Sequence, residues 1–167
     1  MVTINRVDRE PAQLSSLISG SAAVVAFGVS AFYSWPALVV GAIGLVLVVV
    51  GLVRGLYNAV TVGAFGLFVA GILTGVQTTA VSPVLISVTA AVLAWDIGTN
   101  AISIGSQLGR EADTRRIEVV HVVASIGVGV VTSSVGYGLY VTGTSDQPIT
   151  ALFFLLIAAV LLLESLR

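Results

Sequence analysis

The sequence predicts an all-α integral membrane protein of six transmembrane helices with both termini in the cytoplasm. Three observations carry that prediction. Six long apolar stretches run through the 167 residues. The chain is 57% hydrophobic and only 9% charged, with a mean hydropathy of +1.09, whereas a soluble domain is about 25% charged. Every basic residue also falls at a chain end or in alternate gaps between the stretches. Arg6 and Arg9 precede the first, Arg54 follows the second, Arg110, Arg115 and Arg116 separate the fourth from the fifth, and Arg167 follows the sixth. The gaps Tyr33–Trp35, Gln77–Ser82 and Thr142–Gln147 carry no positive charge. Short cytoplasmic loops are enriched in cations, so this alternation sets the orientation as well as the spans.

Each span follows from length and punctuation, since about 20 mostly apolar residues cross a bilayer. A polar tail, residues 1–13, leads into the first helix at 14–32. The start loosely resembles a signal peptide, with Val29-Ser30-Ala31 near a cleavage pattern, but 14–32 is long enough to span and is expected to be retained. Pro36 suits the first turn of a second helix at 36–53, where its missing N–H costs nothing. Arg54-Gly55 closes that helix with a cation and a helix-stopping Gly. A third helix is expected at 58–76, and Pro83 opens a fourth at 83–108, apolar to Trp95 and increasingly polar beyond it. The fifth spans 115–141, and Pro148 opens a sixth at 148–166. Tyr33, Trp35, Tyr57, Tyr137 and Tyr140 fall near the expected span ends, at headgroup level. Uniform apolar runs argue against a β-barrel, whose strands alternate, and no stretch outside the spans suffices for a soluble core. The six spans therefore form a single domain over 14–167.

Small residues recur on these helices. Val40-Gly41-Ala42-Ile43-Gly44-Leu45 resembles Val62-Gly63-Ala64-Phe65-Gly66-Leu67, a weak internal repeat. Gly51/Gly55 and Gly71/Gly75 have the spacing that lets helices approach closely, and packing within the chain is favoured over dimerisation.

Several chemistries are closed by composition. With no Cys there are no disulfides or thiolate sites. All seven basic residues are Arg, which removes Schiff-base lysines. His121 is the lone His and cannot build a multi-histidine metal site. Glu118-x-x-His121 has the spacing of half a di-iron site, but a second such motif would need a second His. No phosphate-binding loop, HExxH or GxSxG is present, and Ser133-Ser134 reads as helix packing. The few, scattered basic residues exclude nucleic-acid binding. No cofactor and no metal is expected.

The chemistry that remains is concentrated in the hairpin of the fourth and fifth helices. Asp96, Asn100, Ser103 and Gln107 share one helical face. Glu118, His121, Ser125, Gly129 and Thr132 share another. One antiparallel register sets Asp96 opposite Ser125, Asn100 opposite His121 and Ser103 opposite Glu118, with the turn near Gly109–Ala112. Asp96 then lies about 20 Å from Pro83, in the cytoplasmic half of the span. A charged Asp facing lipid there costs at least about 2–3 kcal/mol, so it should face protein, accept hydrogen bonds or hold a proton. Packing, a proton path through Asp96 and His121, and a partner-binding face all fit the stripe, and packing is the simplest. Around the turn, Arg110, Glu111, Arg115 and Arg116 form the largest internal loop, which reads first as a solvated positive-inside loop. It is also the obvious place for a cytoplasmic protein to dock.

The segment Leu93–Ser125, LAWDIGTNAISIGSQLGREADTRRIEVVHVVAS, resembles an uncharacterised family of small six-helix membrane proteins of halophilic archaea. The likeness is most specific in WDxGxNAxSxGxQLGREAxTxRxExVH, and the use of Arg to the exclusion of Lys fits that origin. One departure is that halophilic proteins are usually strongly acidic, whereas this chain exposes little polar surface to show it. The genes of that family resemble those beside MoxR-type ATPases of a chaperone or assembly system, which implies such a system as a partner. The expectation is therefore a non-enzymatic subunit or scaffold of a larger assembly in the cell membrane, docking through its helices and the 109–118 loop. The competing expectation is a small transporter or proton-linked channel using Asp96 and His121. An intramembrane enzyme ranks third.

Overall fold

A computed structural model describes residues 11–108 and 115–143 of the chain. It contains α1 (Gln13–Tyr33), α2 (Trp35–Arg54), α3 (Tyr57–Gln77), α4 (Val81–Leu108) and α5 (Arg115–Gly143). All five are long and apolar enough to cross a membrane. Their ends fall within two residues of the expected ones, and Pro83 lies inside the first turn of α4 rather than at its start. The expected sixth helix at 148–166, the tail up to residue 10 and the turn at 109–114 lie outside the described residues.

Local chemistry sets the breaks. Ser34 is extended, and its Oγ accepts the Ala37 N–H at 3.3 Å, which caps α2 just ahead of Pro36. Gly55 ends α2 at φ 65, a left-handed conformation that glycine adopts without strain. Its N–H and that of Leu56 both return to the Gly51 carbonyl. Gly55 is thus a cap that meets Pro11, while Gly51 of that spaced pair packs against α3 at Ala59 and Val60.

α1 to α4 form an antiparallel bundle in which α1 touches α2, α3 and α4, and α3 touches α2 and α4. The interior is built of small groups: Ala23, Ala26, Ala64, Ala90, Ala91 and Ala94 surround Val48, Leu52, Val60 and Leu67. Lipid tails are as apolar as leucine, so helices in a bilayer associate through close packing, which small residues permit. The two halves of the internal repeat meet here. A Cβ on Gly63 would stand 2.6 Å from the Gly44 carbonyl oxygen, and one on Gly44 would stand 2.7 Å from that of Gly63. Gly71 packs on Ser87 and Val88, and Gly75 on Val84, so that spacing serves contact between α3 and α4.

Serines staple α1 to α4. Ser19 Oγ donates to the Ala94 carbonyl at 2.6 Å and Ser87 Oγ to the Ala26 carbonyl at 3.3 Å. The backbone bond from Ala12 N to Ala101 O, 3.0 Å, sets the start of α1 level with Ala101. α4, at 28 residues or about 42 Å, therefore runs about 10 Å beyond that level. The chain divides into two compact units, Met1–Ser134 and Val135–Arg167. The described part of the second is the last turns of α5.

Candidate functional site

α5 meets the bundle along a polar seam. Its inner face presents Glu118, His121, Ser125 and Ser133, which engage Ser15, Asp96 (reached by both His121 and Ser125) and Thr89 in turn. Ser125 Oγ donates to Asp96 Oδ2 at 2.5 Å. Two turns further along α5, the Ser133 and Thr89 hydroxyls share a 2.5 Å hydrogen bond. Between them Gly129 is close-packed, since a Cβ there would lie 3.2 Å from Thr89 Cγ2. This is the antiparallel register in which Asp96 and Ser125 stand opposite each other.

His121 sits one turn before Ser125 on the same face, so a single carboxylate oxygen reaches both. Its Nε2 lies 3.2 Å from Asp96 Oδ2, within ion-pair distance. That nitrogen is closed to solvent but is not aligned for a hydrogen bond, so the contact is one of proximity. The side chains stay partly open, Asp96 at 42% exposure and His121 at 32%. Asn100, expected opposite His121, instead keeps its Nδ2 shut from solvent without a hydrogen-bond partner among the described residues.

Glu118 departs furthest from the simple hairpin. It lies in the first turn of α5 at 4% exposure. Its Oε2 accepts both the Ser15 N–H and the Ser15 hydroxyl, each at 2.9 Å. Ser15 is in the first turn of α1, whose preceding residue Ala12 offers no side-chain cap and which has no acidic residue of its own there. A buried carboxylate supplied by α5 therefore does the work of an N-cap, where the helix dipole favours negative charge. Glu118 and His121 thus engage different helices. Among the described residues no group of three or more His, Asp or Glu gathers as a metal site.

Ser103 and Gln107 satisfy each other within α4, Gln107 Nε2 donating to Ser103 Oγ at 2.9 Å. Arg115 and Arg116 are exposed at the start of α5, while Arg110 and Glu111 lie outside the described residues. Sequence reasoning missed Ser15, Ser19 and Thr89. The signal for Ser15 was the missing cap at the head of the first helix.

From Ala101, level with the start of α1, Asp96 lies five residues or about 7.5 Å into the span. It can accept hydrogen bonds and hold a proton. It is not ordered as a serine nucleophile triad, where the imidazole stands between carboxylate and hydroxyl. Here the carboxylate stands between imidazole and hydroxyl.

A family of unknown function, DUF7519, matches residues 9–163. No curated protein and no solved structure matches the chain.

Proposed function

We propose that this chain, which belongs to the DUF7519 family of unknown function, is a non-enzymatic membrane subunit or scaffold of a larger assembly. In this reading it spans the cell membrane six times with both termini in the cytoplasm. A sixth span at 148–166 completes the alternation of arginines. A partner covers α5, and the exposed Arg115 and Arg116, with Arg110 and Glu111, form its cytoplasmic docking loop. The resemblance to halophilic archaeal proteins encoded beside MoxR-type ATPases supports an assembly system of that kind as the partner.

One observation carries the reading. Of the most apolar window of α5 only 6% is buried, against 28–39% for α1 to α4, yet its inner face is fixed by polar contacts. Among the described residues α5 is held along one face by hydrogen bonds and uncovered over the rest, which supports a partner on that surface. Purification of the tagged chain from its native membrane in mild detergent, with mass spectrometry of what accompanies it, tests this. A stoichiometric partner lost on substituting Arg115 and Arg116 supports the proposal. Recovery of the chain alone, as monomer or homo-oligomer, overturns it.

A second reading is favoured by the approach of His121 to Asp96: a proton-linked transporter that moves protons through this pair. It requires Asp96→Asn to abolish a proton flux into vesicles while the fold survives.

A further inference from the structure

Histidine is the side chain whose charge ordinarily changes between about pH 5 and pH 8. His121 is the only one in a chain that also lacks cysteine. Its place makes that change consequential. Glu118 holds α5 to Ser15 of α1 at one end of the polar seam, and Ser133 holds it to Thr89 of α4 further along. His121 lies between these anchors, with its Nε2 3.2 Å from Asp96 Oδ2.

Few ionisable groups surround it. Asp96 is the single one on α4, and α1 carries only Tyr33, at the end remote from Ser15. α5 itself carries Glu118, one turn before His121 and committed to Ser15. Its other ionisable residues are the exposed Arg115 and Arg116 at its start, with Tyr137 and Tyr140 near its other end. Among the described residues, Asp96 is therefore the charge that meets the imidazole from a neighbouring helix.

A neutral His121 gains little from that neighbour. Its Nε2 is not aligned for a hydrogen bond, and Ser125 already donates to the same carboxylate oxygen. Coulomb attraction depends on distance rather than on alignment, so a protonated imidazole is drawn to the carboxylate as it stands. Both side chains are partly covered, which limits screening by solvent. Deprotonation removes the attraction and leaves the Ser125 and Ser133 hydrogen bonds to hold α5 on α4.

We propose that His121 and Asp96 form a pH-sensitive latch, which draws α5 onto α4 when the histidine is protonated and slackens when it is neutral. Its contribution is present on the acid side of the histidine range and lost on the alkaline side. The latch holds a proton without passing it on, so it stands apart from both the subunit and the transporter readings.

The test compares thermal midpoints of the full chain in detergent micelles at about pH 8 and about pH 5.5, after purification through a tag without histidine. Wild type minus His121→Gln isolates the latch, because Glu118 and the tyrosines are present in both. That difference should grow by about 2 °C on acidification, the scale of one partly exposed ion pair in a chain of this size. With Asp96→Asn in both proteins, the difference should stay flat. A difference independent of pH with Asp96 in place overturns the proposal, as does growth that survives Asp96→Asn. Should His121→Gln not fold, Asp96→Asn alone decides: its midpoint should gain about 2 °C less on acidification than that of wild type, and an equal gain overturns the latch.

Discussion

Glu118 of α5 caps α1 across the structure: one carboxylate oxygen accepts both the backbone N–H and the hydroxyl of Ser15, each at 2.9 Å. A residue in the first turn of α5 thereby fixes the start of α1.

Because the carboxylate is buried and the helix it caps has no side-chain cap of its own, Glu118→Ala should be costly. Loss of an N-cap costs about 0.5–2 kcal/mol, and hydrogen bonds to a charged group lie at the upper end or beyond. A lowered thermal midpoint in detergent, with Glu118→Gln intermediate, is the expected outcome. An unchanged midpoint would show that the cap contributes nothing.

The Gly44–Gly63 crossing predicts a sharp contrast between glycines. Gly63→Ala drives a methyl into the Gly44 carbonyl and the Val48 nitrogen, both 2.6 Å away, and backbone cannot swing aside. Overpacking of this kind costs about 1–3 kcal/mol. Gly127→Ala, where nothing lies within 4 Å, should be neutral or slightly stabilising. The yield of monodisperse protein and its melting curve separate the two.

Asp96→Asn retains an oxygen to accept the Ser125 hydroxyl, so the fold should persist. A double-mutant cycle of Asp96→Ala with Ser125→Ala should return a coupling of about 0.6 kcal/mol, the average for hydrogen bonds between membrane helices. A coupling several times larger would mean that the pair is more than an anchor.

Register along the α4–α5 seam can be read chemically, because the chain has no Cys to interfere. Thr89→Cys with Ser133→Cys replaces two hydroxyls 2.5 Å apart and should oxidise to a disulfide in the membrane. Thr89→Cys with Val131→Cys, which places the second thiol on the exposed side of α5, should not.

Much of this architecture is legible in the sequence. Spans are set by hydropathy, and the breaks at Ser34-Trp35-Pro36 and Arg54-Gly55 by capping chemistry, both local properties. The opposition of Asp96 and Ser125 is also readable, because two helical stripes joined by a short turn admit few registers. The role of Glu118 is not. Periodicity says which face a residue occupies but not which distant helix lies across from it, and Ser15 is 103 positions away. His121 lies against Asp96 rather than being paired with Asn100 for a related reason. Residues one turn apart on a helix can share one carboxylate, and the reach of the imidazole brings His121 to the Asp96 oxygen that Ser125 already holds. The close contact of the two repeat halves was likewise invisible, since small residues show that helices can approach without showing which ones do.

The central claim is that α5 presents to a protein partner the outer face that the described residues leave uncovered. Cysteines at Val123 and Val131, both exposed on α5, and at Val46, exposed on α2, can be crosslinked in native membranes. The account predicts that Val123→Cys and Val131→Cys join a second, different polypeptide, and that Val46→Cys does not. Uncrosslinked chain at all three positions, with α5 as bare in the membrane as α2, would contradict it.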